Sequence, residues 1–167
     1  MHTQSNTFYR LTFVFLMFAG LSVSFAHARE EDEDEGRRPP MVTNAKWKSE
    51  CSACHVAYPP RFLPADSWRA IMAGLDKHFG SNASLDDVSI SEITDFLVKN
   101  ARKKDRREPS GKPLLRITES RWFKSEHREV KASVWKNPKV KSAANCNACH
   151  TKADEGDYNE HNVRIPR

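Results

Sequence analysis

Apolar and polar positions divide this chain into unlike stretches. After Arg10 comes one unbroken apolar run, "LTFVFLMFAGLSVSFA", Leu11–Ala26. Beyond it, apolar residues recur at helical spacing instead. Trp68, Ile71, Met72 and Leu75 fall on one face, which predicts a helix with Pro64 in its first turn and an end near Phe79. Ile93, Phe96 and Leu97 mark a second such face, with Ser89 and Glu92 spaced as a capping box ahead of it. Thr43 is the expected cap of a short helix carrying Trp47. Further on, "ITESRWFKSEHREV" (117–130) reads as one helix, followed by a loop at Asn137-Pro138 and a short helix into Cys146. Period-two alternation is weak throughout, so the expected class is mostly α with few or no strands.

The breaks between these stretches give the organisation. "YPPRFLP" (58–64) is an extended connection, because proline excludes helix from the residue before it. "GSNAS" (80–84) interrupts the chain, and "KNARKKDRREPSGKP" (99–113) is a basic, Gly- and Pro-containing stretch that reads as a linker. The first apolar run, with Arg10 before it and the small residues of "AHA" (26–28) after it, reads as a secretory signal peptide cleaved near Ala28. A retained membrane anchor is the alternative, but a span needs about 20 apolar residues and this run is shorter. Six consecutive acids, "EEDEDE" (30–35), have nothing to bury and predict a solvated leader. The expected layout is therefore a signal peptide over 1–28, an acidic flexible leader over 29–42, a first small domain over 43–101, a basic linker over 102–113 and a second small domain over 114–167.

Composition sharpens this picture. The 167 residues carry 27 Lys and Arg against 22 Asp and Glu, a net charge of +5. A basic surface suits nucleic acid, but an exported, periplasmic chain seldom meets any, so acidic protein partners or anionic membrane surfaces are the better match. Apolar residues are only 38% of the chain, and the first run takes a large share of them. The remainder of the chain has little apolar material for a core, and a small domain so placed needs a disulfide, a metal or a bound cofactor.

The cysteines supply the candidate. All four lie in two Cys-x-x-Cys-His blocks, "CSACH" (51–55) and "CNACH" (146–150). Two thiols three positions apart can each add to one vinyl group of a haem, and the next histidine then lies under the porphyrin and offers its imidazole to iron. Cys51, Cys54 and His55 would hold one haem, and Cys146, Cys149 and His150 a second. A structural zinc site or a pair of disulfides are competing readings. Neither explains a histidine after both pairs. A thioredoxin-like motif would need a βαβ context that the pattern lacks. Two covalent c-type haems also answer the shortage of core, because a porphyrin is a large apolar plate.

Each iron has one further axial position. Beyond the signal peptide the remaining histidines are His78, His127 and His161, and the remaining methionines are Met41 and Met72. Met72 sits on the apolar stripe, where packing is its expected role. His78 and His127 each lie at a predicted helix within their own half, and they are the expected distal ligands. Spacing alone leaves open which haem each serves. With imidazole on both faces, iron changes oxidation state without binding substrate, at a lower potential than a His/Met pair gives.

With these residues in view, the chain resembles the exported dihaem cytochrome c family. The likeness rests on "CSACHVAYPPRFLPADSWRAIMAGLDKHFG", "ITDFLVKNA", "RITESRWFKSEH", "NCNACHTKA" and "RIP", across roughly residues 44–166. The resemblance implies two small haem domains, the first similar to a class I cytochrome c, with His78 and His127 on the family's distal histidines. It further implies electron transfer to another cytochrome, such as a small oxygen-binding monohaem cytochrome, and association with a membrane cytochrome b. The acidic leader is not part of the family pattern. The expected function is thus an electron carrier rather than an enzyme. The rival classes are a peroxidase-like dihaem enzyme, which needs one labile axial ligand, and a haem-based sensor.

Overall fold

The computed structural model of the chain describes residues 41–103 and 111–167. The expected signal peptide, most of the acidic leader and the centre of the basic linker lie outside them. The described residues belong to one compact unit, mostly helical, with no strand among them; backbone pairing is limited to isolated bridges such as Pro64 with Arg102 and His150 with Val163.

The first half holds three α-helices. Helix α1, Ala45–Cys51, begins one residue later than expected, because Asn44 rather than Thr43 is its cap. The Asn44 side chain accepts from the Trp47 amide at 2.8 Å and donates to Glu92 at 2.9 Å, so one residue both starts the helix and ties it to a neighbour. Helix α2, Ala65–Met72, comes after Pro64 but stops well short of Phe79. Its last turn tightens, with the Gly74 amide reaching the Ile71 carbonyl at 3.0 Å, and a 3-10 turn over Leu75–Lys77 carries the chain to His78. Helix α3, Asp87–Lys99, starts ahead of the expected capping box. Asp86 is the cap. Its carboxylate accepts from the Ser89 amide at 2.9 Å and the Ser89 hydroxyl at 2.6 Å, bonds that hold its carboxyl below the usual aspartate range. A charged acceptor at a helix start outcompetes a serine inside the first turn.

These helices bury a contiguous core of Trp47, Ala57, Leu63, Trp68, Met72, Leu75, Ile93 and Leu97. The predicted stripes of α2 and α3 are its main contributors, and Ile93 has no exposed surface at all. Trp68 carries a polar indole into this core and satisfies it by donating to the Pro60 carbonyl at 2.7 Å.

The second half is built from shorter pieces. The expected single helix over 117–130 is divided at Ser120. A 3-10 turn, Ile117–Glu119, precedes it, and helix α4, Arg121–Glu126, comes after it. Ser120 takes an extended backbone and its hydroxyl accepts from the Phe123 amide at 3.0 Å, since serine is better used as a cap than inside a helix. Helix α5 spans only Ala132–Trp135, and the expected helix into Cys146 is a 3-10 turn, Cys146–Ala148. The two halves touch through rings. Phe62 packs at 4.9 Å against both Trp122 and Tyr158.

Candidate functional site

The first cysteine block lies where α1 ends. Cys51 is the last helical residue and Ser52 its C-cap, so the chain turns outward with Cys54 and His55. The His55 ring is fixed by two contacts. Its Nδ1–H donates to the Val56 carbonyl at 2.8 Å, and its face stacks on Tyr58 at 4.7 Å and 19°. A carbonyl only accepts, so Nδ1 keeps the proton and Nε2 offers its lone pair, the tautomer of a metal-ligating histidine.

His78 faces this ring, with centres 6.2 Å apart and planes 24° from parallel. A tight turn presents it. The Ser81 amide donates to the His78 carbonyl at 3.0 Å, and Phe79 and Gly80 both take positive φ, 51° and 101°. A phenylalanine seldom adopts this left-handed backbone, and the Arg116 guanidinium covers its ring at 4.3 Å.

The second block opens on the 3-10 turn Cys146–Ala148. The Cys149 and His150 amides both donate to the Cys146 carbonyl, at 3.1 and 2.8 Å. The C-terminal segment pins it from outside, since the Arg164 amide donates to the Cys149 carbonyl at 2.8 Å and the Thr151 amide to the Asn162 carbonyl at 3.2 Å. His127 caps the C-terminus of α4, its Nδ1–H donating to the Phe123 carbonyl at 2.9 Å and its ring stacked on Phe123 at 4.0 Å. The ring centres of His127 and His150 are 6.1 Å apart, at 72°.

The structure therefore brings the four histidines together in two pairs, each within its own half. His161 lies exposed in a 3-10 turn, Glu160–Asn162. The methionines are engaged in packing. Met72 is in the core, and Met41 lies so close over Gly156 that a methyl there would collide with its sulfur. Residues that the sequence did not single out also line the sites. Tyr58 and Phe79 lie against the first histidine pair and Trp135 and Tyr158 against the second, and only the nearness of Tyr58 and Phe79 to a histidine in sequence hinted at this.

A porphyrin iron fits what the residues offer. Two imidazoles on opposite faces of one metal, each nitrogen at about 2 Å, set their ring centres about 6 Å apart. Burial, with the neighbouring His55, pushes the His78 pKa down; burial, with His127, does the same to His150 despite Asp157, so both imidazoles stay neutral with a lone pair to give. The buried Nδ1 of His150 has no hydrogen-bond partner among the described residues. No disulfide joins any of the four cysteines, and burial lifts the unattached thiols of Cys51, helped by Glu50, and Cys146 to about 11. Among the described residues no three Cys, His, Asp or Glu side chains converge as a shared zinc site would need. A cleft of about 620 Å³ runs between the motifs, lined by Cys54, His55 and Tyr58 from one and by Lys141, Ala144 and Cys146 from the other.

Comparison with known proteins covers the stretch of chain that holds both sites. The family model described as "Dihaem cytochrome c" matches residues 47–158. The dihaem cytochrome c of Rhodobacter sphaeroides is 42% identical over 72% of this chain and 100% of its own, with a TM-score of 0.65. That of Shewanella baltica is 41% identical over 74% of this chain and 93% of its own, at 0.64. No curated protein matches. The chain belongs to the dihaem cytochrome c family, and membership brings two covalently attached c-type haems, for which Cys51 with Cys54 and Cys146 with Cys149 are the fitting pairs.

Proposed function

We propose that this chain is an exported electron carrier in which His55 and His78 close both faces of one haem iron and His150 and His127 close both faces of the other. The observation that carries this reading is the pair of imidazole separations, 6.2 and 6.1 Å, one beside each cysteine block. Bound haem supplies a one-electron iron couple. The chain's residues do the rest. His55 and His127 are held in one tautomer and one orientation by the carbonyls of Val56 and Phe123. Phe123 and Tyr58 each stack on one face of those rings. With no axial position left to substrate, the arrangement favours outer-sphere transfer over peroxidase chemistry.

Among the described residues no helix is long and apolar enough to cross a membrane. The apolar run Leu11–Ala26 followed by "AHA" supports export behind a signal peptide cleaved near Ala28, into the periplasm. Its partner would be another cytochrome, of the small oxygen-binding monohaem kind, with a membrane cytochrome b on the other side of the exchange. The net charge of +5, which becomes +4 once Arg10 leaves with the signal peptide, suits an acidic docking face on such a partner.

Electron paramagnetic resonance of the oxidised holoprotein tests the ligand assignment. Two low-spin bis-imidazole signals are expected, with one of them converted to high spin in His78→Ala and the other in His127→Ala. Carbon monoxide added to the reduced wild type should leave the visible spectrum unchanged. A large shift at one haem would instead establish a labile ligand and favour the enzyme.

A further inference from the structure

One hydrogen bond joins the segments that flank the two cysteine blocks. The Tyr58 hydroxyl donates to the Ala144 carbonyl at 2.7 Å, across 86 positions of sequence. At its other end, the Tyr58 ring stacks on His55 at 4.7 Å. The same Ala144 carbonyl accepts from the Cys146 amide at 3.0 Å. A continuous path thus runs from the His55 imidazole, through the tyrosine ring and its hydroxyl, to the backbone of a cysteine in the other block. Pro59 and Pro60 come directly after Tyr58, are buried, and stiffen the chain behind it. The ring also packs against the first-half core.

We propose that Tyr58 is a positioning residue that couples the two haem sites, fixing the register of the second block on the first and bridging them for electron exchange. The inference rests on the electron-carrier reading. The exchange moves one electron from one haem to the other; no bond forms or breaks, and the phenol keeps its proton throughout. A tyrosine that merely fills space would need neither the stack on His55 nor an acceptor shared with Cys146. Phe62, by comparison, joins the halves through ring packing alone.

The test uses the half-reduced holoprotein, with the rate of interhaem electron exchange measured by NMR in wild type, Tyr58→Phe and Tyr58→Leu. Tyr58→Phe keeps the ring and removes the hydroxyl. Its exchange rate should fall severalfold, and the Cys146 amide should exchange with solvent about fivefold faster. Tyr58→Leu should slow the electron exchange further. A Tyr58→Phe rate equal to wild type overturns the proposal. Wild type gives an independent reading, since its Tyr58 hydroxyl proton should exchange slowly with water, and a freely exchanging hydroxyl also overturns it. Two low-spin signals in every variant separate a failure of this inference from a failure of the ligation. Their absence in wild type would sink the functional reading and this inference with it.

Discussion

The two halves solve the same problem with different means. The first sets its paired histidines beside three α-helices, the longest of 13 residues, packed around an eight-residue core cluster. The second has helices of six and four residues, and only Phe123, Val140 and Ala153 are its buried apolar side chains. Helices that short do not hold themselves in water. The second half is therefore held by its rings, its backbone turns and the first half. A cofactor adds the most stability where the chain supplies least, so haem should matter more to the second half.

The largest expected effect breaks this comparison if it fails. Replacing Cys146 and Cys149 by Ala together should leave one attached haem and abolish slow amide exchange across α4 and the turn at Cys146–Ala148. Replacing Cys51 and Cys54 should also remove one haem, yet α2 and α3 should keep measurable protection through Ile93 and Leu97. Hydrogen exchange with mass spectrometry distinguishes the two. Equal loss in both variants would show that the halves fold as one and that the difference in core does not matter.

Two glycines sharpen the comparison at a smaller scale. Gly156, in the second half, has φ +75° and lies against Met41, while Gly80, in the first, has φ +101° and open space around its missing Cβ. Gly156→Ala combines backbone strain with a collision and should cost about 2 kcal/mol or more, whereas Gly80→Ala carries the strain alone, about 1 kcal/mol. Adding Met41→Ala to Gly156→Ala should recover part of the loss. Denaturant midpoints of the holoproteins measure all three.

The smallest effect concerns the helix caps. The first half uses a charged one, Asp86 on α3, and the second a neutral one, Ser120 on α4. Bonds from Ser89 lower the Asp86 pKa from its ordinary 3.8. Its contribution is accordingly present above 3.8 and is lost as pH falls through the lower folded value. Amides in the first turn of α3 should lose protection over that range, those of α4 should not, and Asp86→Asn should remove the difference. A first turn of α3 indifferent to acid would show that the cap contributes nothing.

Much of this was legible in the sequence, for physical reasons. The haem blocks declare themselves because the chemistry fixes residue type and spacing. The stripe of Trp68, Met72 and Leu75 and the pair Ile93 and Leu97 were legible because burial imposes a helical period. Boundaries were harder. Asp86 and Ser89 are both good capping residues, and only the folded chain shows that the acid accepts from the serine. Ser120 fits inside a helical pattern as readily as at its start. The contacts between halves left no trace in any local pattern. Tyr58 with Ala144, Phe62 with Tyr158 and Arg116 over Phe79 exist only once distant segments have been brought together.

The C-terminal segment, whose amide at Arg164 closes onto Cys149, bears on how the protein matures. In chain order both histidines of the first pair precede Arg102, whose amide pairs with the Leu63 carbonyl, while the second block precedes the strap that finishes it. On the export reading proposed above, a chain threaded from its N-terminus would present the first pair of thiols complete and the second still waiting on its tail, so that attachment of the two macrocycles would be staggered.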